Sequence, residues 1–481
     1  MTTTTETRST ESRSREVDPK AALARLRAGF ERDPNPSLAA RVRNLDALER
    51  MVLRHKDDIA DAITADFGNR SAHETLIAEI LMTVEGVRYA KASLGDWMEP
   101  ERRRMPLSLL PAKATVHHQP KGVVGIISPW NYPVNLALGP LTGALAAGNR
   151  ALIKPSELTP ETSALLQRIV RQTFSDDLVD VVTGGVQVGV DFSQLPFDHL
   201  VFTGSTHVGR LVMAAAAKNL VPVTLELGGK SPAIVHESYP IEKAAETIAL
   251  GKWFNAGQTC IAPDYVLVPE GRLDALVDAL QAAVRNNYPS LENNPDYTSV
   301  VNARHRERLE ALIADAEDKG ARPIAINPAD ERFAGSNKLP PTLLTGVRDE
   351  MIVMQEEIFG PLLPLVPYGH LEDALRYVAD RPRPLALYYF DDDERRVERV
   401  IERSCSGGVA INACMMQFGI DDAPFGGIGP SGMGAYHGRE GFLTFSHTKT
   451  VFHQAKLNGA RLLAPPFGAV LETAMKLLLR G

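Results

Sequence analysis

Gly257-Gln258-Thr259-Cys260 is the stretch whose residue types turn most readily to chemistry. The 481-residue chain has three cysteines; this one follows an apolar, aromatic run, Ile248 to Phe254, and precedes Ile261-Ala262-Pro263 and an apolar strand, Tyr265 to Val268. At such a helix-to-strand junction, beside a glycine, the backbone N–H and the sulfur of one cysteine can face the same space. That suits a nucleophile, because the charge it raises on a carbonyl oxygen needs a donor close by. The same cysteine also reads as a small buried hydrophobe, and the tetrapeptide alone does not choose between the two.

Other residues invite the same double reading. Glu226 lies between two leucines, just ahead of Gly228-Gly229. A carboxylate there is costly unless used or paired, and burial would raise its pKa towards that of a general base. Asn131 follows Trp130 at the end of an apolar run; its amide can donate to an oxyanion or cap the helix that follows. Gly204-x-x-x-x-Gly209 separates a strand from a helix, where free N–H groups can hold an anion. It is neither a P-loop, since Arg210-Leu211 follow, nor Gly-x-Gly-x-x-Gly, and a plain tight turn fits it as well. Glu157 can accept from ribose hydroxyls, which disfavours a 2′-phosphate, or cap a helix.

The elements that must position these residues come in two styles. From Lys20 to about Trp97 the pattern is helical: Val42, Leu45, Leu48, Val52, Ile59 and Ile63 recur at helical spacing, with a break at Asp66-Phe67-Gly68-Asn69. Thr115 to Gln119 alternates like an edge strand and ends at Pro120. Strand and helix then alternate: strands at Gly122–Ile127, Ala151–Lys154, Val179–Val182 and His199–Thr203, helices at Leu138–Ala147, from Pro160, and at Arg210–Asn219. That order implies a parallel, doubly wound α/β sheet. A second α/β region carries Cys260 and helices Leu273–Arg285 and His305–Lys319, and reaches about Ser404. A strand at Gly407–Asn412, a loop to Asp422, the Gly-rich stretch Phe425–Gly432 and a late β segment, Thr448–His453, follow.

Composition narrows the function. Hydrophobic residues make up 44% and charged residues 23%, a globular balance, and the length calls for two or three domains. A net charge of −7 leaves no basic surplus for nucleic acid. Three cysteines without framework spacing argue for a reducing, cytoplasmic setting, and no metal-ligand spacing stands out. No apolar run is long enough for a transmembrane helix. Residues 1–18 read as a disordered tail, and 456–481 as a tail with a short amphipathic surface helix.

Pro129-Trp130-Asn131, Phe202-Thr203-Gly204-Ser205, Leu225-Glu226-Leu227-Gly228-Gly229-Lys230, Gly257-Gln258-Thr259-Cys260 and Glu356-Glu357-Ile358-Phe359-Gly360-Pro361 occur in that order. From about residue 20 to 455 the chain resembles the NAD(P)-dependent aldehyde dehydrogenase superfamily. Lys154-Pro155-Ser156-Glu157 and the Ala214–Lys218 helix are similar to its class 3 branch, and within it to coniferyl aldehyde dehydrogenases. The resemblance implies Cys260 as nucleophile, Asn131 with the Cys260 N–H around the oxyanion, and Glu226 as activator of the deacylating water. It places Lys154 and Glu157 at the adenosine ribose, Gly204 and Ser205 near the pyrophosphate, Glu357 on the nicotinamide ribose, and Phe359 with Trp130 by the ring. It divides the chain into a nucleotide-binding domain (19–227, with an oligomerisation hairpin near 110–120), a catalytic domain (228–404) and a return segment with an oligomerisation strand (405–455), and implies a homodimer. NAD is expected to be preferred, with some tolerance of NADP. Tyr132, Trp253, Met415, Met416 and Phe418 are expected to line an entrance suited to flat apolar aldehydes such as coniferyl aldehyde, with medium- or long-chain aliphatic aldehydes as the alternative. A cysteine hydrolase would leave the nucleotide framework unexplained; a non-catalytic, crystallin-like NAD-binding protein would not need Cys260, Glu226 and Asn131 together.

Overall fold

The computed structural model describes residues 17–333 and 335–479, so the expected disordered tail lies almost wholly outside them. The helical first segment begins at Pro19–Arg32, whose N-terminus is capped by the Asp18 side chain accepting from Lys20 N–H. Leu38–Arg54 starts the same way, with Ser37 accepting from Ala40 N–H, and buries Leu45, Leu48, Met51 and Val52 along one stripe. Lys56–Phe67 stops where Gly68 turns to φ 76°. The chain resumes in the short helix Ala72–Thr75, widens into a π turn at Leu76–Leu81, and continues as Met82–Met98.

Two parallel sheets with helical cover hold the rest together. In the first, the strand order is Gly432–Met433, Val223–Leu227, His199–Gly204, Val123–Ile127, Arg150–Lys154, Val179–Val181. All its neighbours are parallel except the Gly432–Met433 strand, which runs antiparallel to Val223–Leu227. The central strands are buried on both faces, which is why they read as continuous apolar runs. The second sheet has the order Arg322–Ala325, Thr342–Thr345, Leu362–Tyr368, Tyr265–Pro269, Pro232–Val235, Ala386–Phe390, Gly408–Ile411, with only Arg322–Ala325 antiparallel. Among the described residues no helix is long and apolar enough to cross a membrane.

Two sequence expectations change. The segment read as an edge strand is longer, Lys113–Pro120, and is the middle strand of a three-stranded antiparallel sheet between Glu101–Arg103 and Ser446–His453. Alternation reports half-burial of a strand; it says nothing of a partner from the far end of the chain. The helix expected from Arg210 begins four residues earlier, at Thr206, because the Ser205 hydroxyl accepts from Val208 N–H and caps it there.

The π turn carries one buried acid. Glu79 is fully buried, and one of its oxygens accepts from the N–H groups of Val134 (3.2 Å) and Asn135 (2.6 Å). The helix Asn135–Ala147 has no side-chain cap of its own, so Glu79 supplies one at the positive end of the helix. Burial pushes its carboxyl from 4.5 up to about 7, against the opposing pull of Arg70 and the two N–H groups. The folded pKa lies above the unfolded one, so between about pH 4.5 and 7 the folded chain holds a proton the unfolded chain has released. This group's stabilisation therefore falls as pH rises through that window, by at most about 1.4 kcal/mol per pH unit. Glu79→Gln keeps an acceptor and cannot titrate; thermal midpoints at about pH 5, 6 and 7 are expected to decline less steeply in the variant than in the wild type.

Candidate active site

Cys260 follows a strained turn. After the helix Ile241–Trp253 the chain enters the 3₁₀ turn Phe254–Gly257, in which Asn255, Ala256 and Gly257 take φ 52°, 50° and 74°. Three successive left-handed residues persist only where their surroundings over-determine them. At Gly257 a Cβ would stand 2.3 Å from Gly360 O, so no other residue fits. The Gln258 side chain donates to Asn255 O and Ser299 O, both at 3.0 Å, and accepts from Val301 N–H at 2.9 Å. Asn131, at the end of the strand Val123–Ile127 and its following loop, donates from Nδ2 to Gln258 O at 3.1 Å. Tyr132 and Thr259 share a hydroxyl hydrogen bond of 2.6 Å. The oxyanion candidate and the nucleophile candidate are thus tied to one another through two adjacent residue pairs, Asn131–Gln258 and Tyr132–Thr259.

Carboxylates set the electrostatics. Cys260 is half-buried and free. Burial pushes its thiol up, and the Glu357 and Glu226 carboxylates add to the shift. Glu226 is 4% exposed, its Oε1 has no partner among the described residues, and burial raises its carboxyl well above the usual range. It pairs in register with Thr203 on one side and Gly432 on the other. A Cβ at Gly432 would lie 2.2 Å from Leu225 O, and at Gly426 3.2 Å from Glu226 Oε1, so backbone crowds this carboxylate where side chains cannot. Glu357 is pushed up to about 8 by burial, with Asp264 adding and the Gly229 N–H opposing. A Cβ at Gly228 would fall 2.2 Å from both Glu357 oxygens, so the glycine is what lets this carboxylate approach. Phe359, at φ 50°, meets Trp130 edge-on at 5.3 Å between ring centroids.

Two cavities adjoin these groups. Cys260, Tyr132, Met415, Met416 and Phe418 share one of about 340 Å³, whose other walls include Phe254, Leu250, Leu136 and Met82. Trp253, expected in this lining, is not there. It is 1% exposed, packs in the core, and donates from Nε1 to Pro361 O at 3.2 Å. Helical rotation sends consecutive residues to different faces, so Phe254 takes the wall and Trp253 the interior. A second crevice of about 610 Å³ is shared by Thr206, Arg210, Gly228, Gly229, Glu357 and Pro430. The N-terminus of the helix Thr206–Ala217 opens into it, next to Gly204 and Ser205. Lys154 Nζ bonds Glu157 Oε2 at 3.0 Å, and the two stand outside this lining.

Sequence reading missed several residues. Lys252 is fully buried, its Nζ has no partner among the described residues, and burial lowers its pKa to about 8 against the pull of Asp264. Its signal was present: a lysine inside the apolar run Ile248 to Phe254. Asn255 and the buried pair Arg70 and Glu74 had no local signal, because their partners lie far along the chain.

Residues 2–451 match the aldehyde dehydrogenase family. A Pseudomonas aeruginosa protein named probable coniferyl aldehyde dehydrogenase is 52% identical over 96% of both chains. Among solved structures, the substrate-bound state of Staphylococcus aureus AldH superposes with a TM-score of 0.91 at 38% identity, covering 96% of this chain and 100% of that one. Betaine aldehyde dehydrogenase from Staphylococcus aureus, in complex with NAD+, superposes with a TM-score of 0.83 at 26% identity, covering 92% and 88%. A family match over nearly the whole length, a relative identical at half its positions and a shared fold together make this chain a member of the NAD(P)-dependent aldehyde dehydrogenase family.

Proposed function

We propose that the protein oxidises aromatic enals, coniferyl aldehyde among them, to their carboxylates, with NAD as preferred acceptor. The observation that carries the substrate reading is the cavity beside Cys260, walled by Tyr132, Phe418, Phe254, Met415 and Met416. Flat rings stack on aromatic walls, and thioethers adapt to them. The name of the Pseudomonas aeruginosa relative, probable coniferyl aldehyde dehydrogenase, supports the same substrate.

The residues divide the chemistry as follows. Burial and two carboxylates raise the Cys260 thiol, so its proton must leave to solvent through the cavity before the sulfur attacks. Glu226, unpaired at Oε1 and with a raised proton affinity of its own, is kept for the later step, in which water is the acid. The sulfur then bonds the aldehyde carbon to give a thiohemiacetal. Its oxyanion is held by the Asn131 amide and the Cys260 N–H; losing one such donor typically costs about 3–4 kcal/mol. The crevice fits a dinucleotide: a helix N-terminus for phosphate, and in Glu357, admitted by the missing Cβ of Gly228, a carboxylate for ribose hydroxyls. A nicotinamide bound there would supply the hydride acceptor for the thiohemiacetal carbon. Phe359 and Trp130 would flank its ring, Gly204 and Ser205 its pyrophosphate, and Lys154 with Glu157 the adenosine ribose, where Glu157 disfavours a 2′-phosphate. The thioester left on Cys260 is hydrolysed by water that Glu226 deprotonates, releasing the acid. The three-stranded sheet is proposed to join two subunits.

A second reading, a medium- or long-chain aliphatic aldehyde, is favoured by the exposed apolar groups at the cavity, Ile77 and Met416.

Glu226→Gln keeps the shape and removes the base. If deacylation depends on it, one stoichiometric burst of NADH is expected, then slow turnover, with an acyl adduct on Cys260 by mass spectrometry. Unchanged steady-state turnover would remove Glu226 from the mechanism. For the substrate, coniferyl aldehyde is expected to exceed acetaldehyde in kcat/KM at least about tenfold, or about 1.4 kcal/mol in the transition state. Burial of ring surface at roughly 25 cal/mol per Å² is ample for that difference. An octanal value above those of both coniferyl aldehyde and benzaldehyde would transfer the assignment to the aliphatic reading.

A further inference from the structure

Arg70 and Glu74 stand side by side beneath the site and line neither cavity. Arg70 is 2% exposed and Glu74 7%. The Arg70 guanidinium lies over the rings of Phe67 and Tyr132 at 5.3 and 5.0 Å, and its Nε is 3.7 Å from Glu74 Oε2. Its one hydrogen bond among the described residues runs from Nη1 to Asn131 O, at 3.0 Å; Nε and Nη2 have none. Glu74 Oε1 accepts from Asn255 N–H at 3.0 Å and Oε2 from the Thr298 hydroxyl at 2.7 Å. Asn255 Nδ2 in turn donates to Asn131 O at 3.2 Å and to Gln258 O at 3.1 Å.

These contacts close a ring: Arg70 to Asn131, Asn131 to Asn255, Asn255 to Glu74, Glu74 back to Arg70. One side of the ring holds the backbone that carries the Asn131 amide. The other holds the first of the left-handed residues that lead to Cys260. A buried guanidinium with two unfilled nitrogens is a poor device for stability, since a packed apolar pair does as well or better. It is a good device for fixing two backbone segments from different elements at one separation.

We infer that Arg70 and Glu74 are positioning residues: they fix the Asn131 loop against the Asn255–Cys260 turn, and so set the distance between the oxyanion donors and the nucleophile. This rests on the reading that Cys260 and Asn131 perform the chemistry. Neither residue lines the dinucleotide crevice or the apolar cavity, and Arg70 meets the cavity only from behind, through the outer face of the Tyr132 ring. Loss of the hydrogen-bonded ring is therefore expected to slow acylation and leave cofactor affinity alone.

The test uses 4-nitrophenyl acetate, which acylates a cysteine with no hydride transfer: the sulfur–carbon bond forms, the carbon–oxygen bond breaks, and 4-nitrophenolate leaves. That step needs the same oxyanion but is independent of which aldehyde the enzyme prefers. Arg70→Met and Glu74→Met are each expected to slow the nitrophenol burst about tenfold or more, with the dissociation constant for NAD+ within about twofold of wild type. Arg70→Lys, which keeps a donor and the charge, is expected to recover part of the rate. Should either methionine variant fail to fold, Asn255→Gly carries the test, because glycine accepts the left-handed backbone and deletes only the side-chain bonds. Folded variants with a burst within about twofold of wild type would overturn the proposal, as would NAD+ affinity that falls in step with the burst. A wild type that acylates but prefers octanal defeats the aromatic-substrate reading and leaves this one standing. A wild type that never acylates Cys260 defeats the reading of the site itself and this proposal with it.

Discussion

Two acidic side chains share desolvated space with a thiol, and the rest of the structure answers to that constraint. Glu226 and Glu357 both push the Cys260 thiol up, and burial pushes each carboxyl up in turn. Like-charged groups of this kind gather only where the scaffold supplies its own compensation. Here the compensation is mostly geometric. Glu226 sits near the end of a sheet strand, where its backbone is held on both sides, so the side chain has little freedom to escape towards water. Glu357 is reached by the Gly229 N–H and admitted by the missing Cβ of Gly228.

The glycines follow from the same demand. Close backbone packing keeps bulky, water-admitting side chains away from the acids while leaving the carboxylates themselves in reach. At Gly432 a Cβ would overlap the carbonyl of Leu225, one residue before Glu226, so the antiparallel Gly432–Met433 strand can approach only as glycine. Gly257 meets the carbonyl of Gly360 in the same manner, which joins the turn before Cys260 to the segment that carries Phe359.

How much of this was legible depended on how local each cause was. The order of strands and helices from Gly122 onward could be read because buried parallel strands write continuous apolar runs and helices write their period. Cys260, Glu226 and Asn131 stood out because each is out of character with its neighbours: a cysteine beside glycine, an acid between leucines, an amide closing an apolar run. Trp253 was misplaced because a sequence gives the composition of a helix end but not its rotation about its axis. The partner of Lys113–Pro120 and the ring through Arg70 and Glu74 were invisible for one reason. Each joins residues from distant parts of the chain, and neither side of the contact looks unusual alone. Arg70 and Glu74 read as an ordinary i, i+4 surface pair until their burial is seen.

The candidate catalytic groups and most of the apolar cavity's walls hang from different parts of the architecture, and this has a physical consequence. The acids, the amide and the thiol hang from strand ends and from a turn held by buried hydrogen bonds, where a small displacement is costly. The apolar cavity is instead walled by the π turn, the start of the helix Asn135–Ala147 and the loop carrying Met415 to Phe418. A π turn inserts extra backbone into a helix and is locally less well bonded than its surroundings. Methionine side chains adapt without disturbing their neighbours. Substitutions in these walls can therefore reshape the space offered to the aldehyde without moving Asn131, whose position depends on other contacts. The two regions meet at Cys260 and Thr259, which themselves line the cavity, and beside them stands Asn135, its N–H held by Glu79 and its side chain by Thr83. A change of wall shape at the π turn or the methionine loop would reach the turn before Cys260 through these shared residues, Tyr132 above all, which contacts both the cavity and Thr259. The cavity can therefore vary in shape in this fold at low cost to the geometry around Asn131 and Cys260 as long as Tyr132 and Thr259 stay where they are.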